Sequence, residues 1–383
     1  MKILMAAIPN HHFFQWVNQL KDAGHEVYWF DITAGAGFSD KIGWVRQYSG
    51  WKLKWDFPFR SGIKNSFPQF YRLIQKINDR NPEIVFQNYL NQIAPDIVHS
   101  FELKLSCLPI LNVMQKNKIP WIYSSWGSDV FYHKELGVST KEVLKCLQRI
   151  DFLITDCQRD YRLLQEIGYK NKFLGVFPGN GGIDIYLQHI KPLTLRKKIL
   201  VKGYESFGCK ASTIVKALEL IPAVLLTDFE IIIYSCDLEI QSMIKKSLFF
   251  NSLTVKIYLR NHFVSNNDML KMMGQSVLHL SNNISDGMPN TLLEAMGMGA
   301  FPIQSNPGSA TEEVIVHGKN GFLISDPFDA NVLSKLIFDA ISDINLRQTA
   351  QEYNTRFIVE NYDRKILKNS ILDLYKFVES EQP

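Results

Sequence analysis

Short apolar runs alternate with helical stretches along almost the whole chain, and this alternation limits the possible folds more than any other feature. Residues 1–7 read as a buried strand, residues 11–23 carry Phe13, Phe14, Val17 and Leu20 at helical spacing up to the stop at Gly24, and residues 25–31 return as a strand. Residues 96–99, 121–123 and 152–154 are further short apolar strands. A second cycle starts near residue 197, with strands expected at 198–201, 230–234, 254–258, 276–280 and 300–303. Strands separated by helices pair in parallel, so each half predicts an open α/β sheet. Two such halves leave a cleft between them, where folds of this kind place their ligands. The expected division is 1–190 and 197–345, with residues 188–194 as linker. The remaining 346–383 are helical in pattern and expected to pack back on the first domain.

Composition narrows the function classes. Of 383 residues, 46% are apolar and 21% charged, which suits a large packed core and excludes disorder. A net charge of +4 is too small to mark a nucleic-acid binder. The five cysteines are scattered without a Cys-x-x-Cys pair, against both a disulfide framework and a structural zinc site. No apolar run approaches the roughly 18 residues of a membrane span, and the N-terminus lacks a secretory signal pattern, so a cytoplasmic protein is expected.

Several nucleotide chemistries are also excluded. The first strand runs into Ile8-Pro9-Asn10-His11-His12 instead of a Gly-x-Gly-x-x-Gly turn, and there is no Gly-x4-Gly-Lys loop. No Asp-x-Asp clamp, His-Glu-x-x-His or Gly-x-Ser-x-Gly is present. A phosphate-bearing ligand would have to be met by helix N-termini and basic side chains, without a metal or a resident cofactor.

The informative stretch is residues 285–299. A strand ends near Leu280, a Gly-Pro turn follows, and a helix starts at Asn290 or Thr291 and stops at Gly299. Its N-terminus offers backbone N–H groups beside Gly287, a ready anion site. Asp286 precedes the helix and Glu294 lies one turn inside it. Their separation lets them grip two hydroxyl-bearing parts of one extended ligand. Glu294 is either a helix surface charge or a ligand contact, and the apolar Leu292, Leu293, Ala295 and Met296 around it favour the contact.

This stretch resembles the retaining glycosyltransferases of family 4, the group 1 family, whose Glu-x7-Glu motif stands here as Asp286-x7-Glu294. Residues 306–315 and 317–323 resemble the family's Gly-rich loop and its "dG-x-nGfLv" turn, and residues 95–99, 126–130 and 178–184 are weaker echoes in the same order. The resemblance implies a GT-B fold, two Rossmann-like parallel-sheet α/β domains facing a central cleft. It implies transfer of a sugar from a nucleotide-diphosphate sugar, with retention and without a metal. Glu294 would take the ribose hydroxyls and Asp286 those of the donor sugar, while the backbone of Gly287, Met288, Pro289, Asn290, Thr291 and Leu292 holds sugar and phosphates. Near Gly203, Tyr204 replaces the family's Arg, so the diphosphate charge falls to Lys210, with Lys202 as second candidate. Either Lys could instead be a solvated surface residue.

Trp126 stands where many relatives have His before Gly-x-Asp. The family's reaction is thought to use the leaving diphosphate itself as base, so no protein nucleophile is implied. Asp129 and His99 are expected at strand ends facing the cleft, where either could orient the acceptor, although His99 reads equally as a satisfied buried histidine. All seven tryptophans fall within the first 126 residues, and residues 38–74 hold seven basic, two acidic and ten aromatic residues, Trp44, Trp51 and Trp55 among them. That mixture suits an anionic membrane surface or a sugar ring, or a packed insertion. The expected acceptor is a glycan or polyprenyl-linked glycan, met in the cytoplasm or at the inner face of the membrane. A sugar-nucleotide epimerase, or a silent family member that binds carbohydrate or a partner, are the alternatives.

Overall fold

Each strand expected from an apolar run is present, and all of them pair in parallel. The computed structural model describes residues 1–381 apart from Ala36, Phe207 and Phe263. The chain divides into two units, the first made of Met1–Asp156, Tyr161–Gly181 and Lys368–Pro383, the second of Cys157–Asp160 and Gly182–Leu367.

The first unit holds β1 (Lys2–Ala7), β2 (Glu26–Asp31), β3 (Arg46–Tyr48), β4 (Ile97–Phe101), β5 (Trp121–Ser124), β6 (Phe152–Thr155) and β7 (Lys172–Val176), in the order β3-β2-β1-β4-β5-β6-β7. Ile3, Leu4, Met5, Ala6 and Ala7 of β1 are wholly buried, as expected for a central strand covered on both faces. The second unit holds β8 (Lys198–Lys202), β9 (Glu230–Cys236), β10 (Thr254–Leu259), β11 (Ser276–Ser281), β12 (Phe301–Ser305) and β13 (Phe322–Ile324), in the order β10-β9-β8-β11-β12-β13. Strand order reverses between β1 and β4 in one sheet and between β8 and β11 in the other. These reversals are the points at which such sheets open a crevice beyond the carboxyl ends of their strands.

The first helix, His11–Asn18, is shorter than its apolar spacing suggests. Asn10 caps it by accepting from the Phe13 N–H at 2.9 Å, and it closes with Gln19 N–H donating to the Trp16 carbonyl and Leu20 N–H to the Val17 carbonyl, both at 3.0 Å. At the other end, the segment expected to be helical forms two helices, Ile344–Tyr362 and Arg364–Ser380, parted at Asp363. The break lets Ile183 N–H donate to the Tyr362 carbonyl (2.8 Å) and Arg364 N–H to the Ile183 carbonyl (3.0 Å). Gly182 makes room for it, because a Cβ there would lie 2.8 Å from the Arg364 Cα. All five cysteines are free and buried. Among the described residues no helix is long and apolar enough to cross a membrane.

Candidate active site

In the second unit the crevice is built by the loops that leave β8 and β11. They run side by side, Lys210 N–H donating to the Asn282 carbonyl (2.8 Å) and Ile284 N–H to the Gly208 carbonyl (2.6 Å). Gly203 opens the first loop against β9, where a Cβ would sit 2.7 Å from the Cys236 Cα, so no larger residue fits. Phe207 in this loop lies outside the described residues.

The second loop leads through Pro289 into the helix Asn290–Gly297. Met288 and Leu292 bury their side chains in an apolar cluster with Leu293 and Met296, which leaves their backbone as the part able to meet a ligand. Glu294 is 7% exposed and its Oε1 accepts from Asn266 Nδ2 at 2.9 Å. It is thus no surface charge. Burial pushes its carboxyl up to about 7, against the Asn266 bond and the positive Arg364, which both favour the charged form. In the sheet below this helix the Tyr234 hydroxyl meets His279 Nε2 at 2.8 Å. Asp286, partly exposed, accepts from Asn283 Nδ2 at 2.7 Å.

Basic groups gather at the first loop. Lys210 places Nζ 3.7 Å from Glu205 Oε1. Lys202 Nζ lies 5.3 Å from the centre of the Tyr204 ring, and the Arg260 guanidinium 4.6 Å from the same ring. Arg260 also donates to Ser206 Oγ at 2.9 Å and stands 3.6 Å from Asp237 Oδ1. Arg260, just past the end of β10, thus brings a further cation to Tyr204 in this loop. Sequence reasoning missed it because nothing in one strand's pattern says which neighbouring loop its last residue will reach.

Arg159 was also missed. Its guanidinium donates to the Asp286 and Pro307 carbonyls, both at 2.8 Å, and to Asp160 Oδ1 at 2.6 Å through Nη2. Its backbone N–H donates to Glu313 Oε1 at 2.7 Å. One buried cation thus ties the loop that bears Asp286 to the loop that follows β12.

In the first unit His99 and Asp129 are both buried. His99 lies inside β4, fully buried, with Nδ1 2.7 Å from the Tyr375 hydroxyl and Nε2 2.8 Å from Ser124 Oγ. Burial drives its pKa down to about 3, so it is the satisfied neutral histidine and not an exposed acceptor contact. Asp129 is buried as well. Its carboxylate accepts from Trp126 N–H (2.9 Å), Leu103 N–H (2.8 Å) and the Tyr123 hydroxyl (2.6 Å), so it shapes the turns after β4 and β5. Glu102, which no motif marked, sits at the end of β4 in the left-handed region at φ +71, with burial and the nearby Asp129 pushing its carboxyl up to about 8.

Residues 257–373 match the family model described as glycosyl transferases group 1. No curated protein matches the chain. Among solved structures, it is similar to sucrose-phosphate synthase from Thermosynechococcus elongatus, at 15% identity and a TM-score of 0.72 over 100% of both chains. It is similar to Anabaena HepE in complex with UDP, at 13% identity and a TM-score of 0.70 over 98% of this chain and 100% of that one. It also resembles the lipopolysaccharide outer core galactosyltransferase WaaB, at 13% identity and a TM-score of 0.67 over 98% and 99%. The two sheets with their reversal points have the GT-B fold of these proteins, and residues 257–373 are similar to the group 1 glycosyl transferases.

Proposed function

We propose that the protein moves a sugar from a nucleotide-diphosphate sugar to a glycan or polyprenyl-linked glycan, with retention at the anomeric carbon and no metal. The observation that carries this reading is Glu294, a carboxylate held in a buried site by Asn266 on a helix that opens at the β8/β11 reversal. A buried acid at neutral pH needs donors, and the vicinal hydroxyls of a ribose supply them. HepE has been solved with UDP and with UDP-glucose, which favours a uridine donor here.

In this reading Asp286 takes hydroxyls of the donor sugar, and the N–H groups from Gly287 to Leu292 hold sugar and phosphates at the helix N-terminus. Lys202, Gly203 and Lys210 receive the diphosphate, the lysines as point charges and the glycine by letting the backbone approach. The leaving diphosphate accepts the proton of the acceptor hydroxyl as the new bond forms. Asp129 acts as a positioning residue that fixes the turns after β4 and β5, and His99 as one that joins β4 to β5 and to Tyr375.

Calorimetry against UDP and a panel of nucleotide sugars tests the reading. Glu294→Ala should lower nucleotide affinity by about 1.5–3 kcal/mol, the worth of hydrogen bonds to a charged group. Equal affinity in parent and variant overturns the assignment. Release of free UDP that depends on added acceptor marks transfer, and its absence with every acceptor tried favours a silent binder.

A further inference from the structure

The tryptophans of residues 38–74 do not form an exposed stripe, Trp55 alone of the three being widely exposed, at 48%. Trp51 is buried, its ring centre 5.1 Å from that of Phe30, and Trp44 donates to Asn18 Oδ1 at 2.8 Å. Another set of side chains reaches solvent. The helix Pro68–Asn78 turns Tyr71, Ile74 and Asn78 toward the unit and leaves Phe70, Leu73 and Ile77 on one face, 57%, 58% and 65% exposed. Phe67 at its start is 65% exposed. Phe59, at the head of the preceding helix Arg60–Ser66, is 86% exposed and held at φ 60, a conformation unfavourable for a bulky residue. Five large apolar side chains on two consecutive helices exceed the scattered exposure normal for a protein surface.

Beside them lies a cavity of about 510 Å³ lined by Lys52, Lys54, Arg60 and Lys64 with Asp56 and Asp79. Both carboxylates are engaged, Asp56 by Arg60 at 3.4 Å and Asp79 by Lys52 at 3.7 Å. Lys54 donates to the Ile77 carbonyl at 2.6 Å, which joins the cavity wall to the exposed helix. Lys64 has no partner among the described residues and lies on the same wall.

An apolar row beside a cavity with excess positive charge complements the surface of a bilayer with anionic headgroups. We infer that this face docks on such a bilayer. Phe59, Phe67, Phe70, Leu73 and Ile77 enter the boundary between headgroups and acyl chains, and a headgroup phosphate is seated among the four basic side chains. The inference deepens the reading of a polyprenyl-linked acceptor and rests on it only for what is brought to the enzyme.

The test is co-sedimentation of the whole chain with phosphatidylcholine vesicles, with and without phosphatidylglycerol. The parent should bind the anionic vesicles alone and be released at high salt. Phe70→Ser with Leu73→Ser, and separately Lys64→Glu, should each weaken binding about tenfold, as loss of apolar anchors or reversal of one charge near an anionic surface implies. Circular dichroism and a melting temperature equal to the parent's confirm that the variants fold. No binding by the parent to anionic vesicles at low salt overturns the proposal, as does binding that both variants leave intact. So does uptake of inorganic pyrophosphate without vesicle binding. Vesicle binding by a parent that takes up no nucleotide supports this surface and overturns the donor reading instead.

Discussion

Asn266 Nδ2 donates to Glu294 Oε1 at 2.9 Å, and this one bond helps to set the pH at which the buried carboxylate is charged. Burial raises the group to about 7, and the amide opposes that rise by favouring the anion. Ribose hydroxyls donate best to the anion, so UDP affinity should rise as pH increases through about 7. Asn266→Ala removes the opposing bond and should move the midpoint of that rise upward. Calorimetry across neutral pH decides it, and an unmoved midpoint would place the nucleotide elsewhere.

The same displacement acts on stability. With its folded pKa above the ordinary 4.5, Glu294 lends the fold a contribution that is complete below 4.5 and lost as pH rises through about 7. Glu294→Gln cannot ionise. The unliganded variant should therefore exceed the parent above neutral pH by as much as about 3 kcal/mol in urea unfolding, at about 1.36 kcal/mol for each pH unit between those two values, while the gap closes toward the acid side.

Arg159 and Asp160 form a buried ion pair at 2.6 Å that also carries two backbone carbonyls. Removing one partner breaks this pair inside the protein, where ion pairs are costly to lose. Asp160→Ala should cost about 3–5 kcal/mol by denaturant titration. A loss below about 1 kcal/mol, the scale of an exposed pair, would show that water reaches the site.

His99 predicts a slope on the acid side. Its folded pKa of about 3 lies below the ordinary 6.5, so its contribution is complete above 6.5 and falls as pH drops toward 3. Relative to the parent, His99→Gln should lose less stability on acidification, by about 1.4 kcal/mol per pH unit across that window. Parallel curves for parent and variant would mean that His99 takes up its proton within the fold.

Turnover should survive EDTA. In the proposed reading the acidic groups take hydroxyls, and the charge offered to a diphosphate is that of Lys202, Lys210 and Arg260, which gather at the loop after β8. Loss of activity with chelator and its return with manganese or magnesium would refute metal-independent transfer.

The central strands were legible because burial on both faces writes them as apolar runs. The edges β3, β7 and β13 were not. Arg46–Tyr48 and Lys172–Val176 are partly exposed and carry no such run, while Phe322–Ile324 spans only three residues. Glu294 stood out because its neighbours are apolar. Its partner Asn266 lies on a separate helix, and no local pattern pairs them. His99 and Asp129 were visible as polar residues near strand ends, but whether such a group faces solvent or a buried hydroxyl depends on elements distant in the chain, here Tyr375 for His99, or on a neighbouring strand, here Tyr123 for Asp129. Of the tryptophans of residues 38–74, Trp51 is packed inside and Trp55 is exposed, for a related reason: a large aromatic beside basic residues is as often the floor of a segment as its rim.

The five buried thiols make the chain its own reporter. Cys107, Cys146 and Cys157 are wholly buried, and Cys209 and Cys236 nearly so. A thiol reagent therefore reacts only through opening of the region that holds each cysteine, and its labelling rate measures how often that region breathes. Cys209 sits in the loop beside Lys210, so nucleotide that fits the site should slow its modification while Cys146, in the other unit, keeps its rate. A single cysteine engineered on the exposed face of Pro68–Asn78 could be labelled in the folded protein with every native thiol left in place.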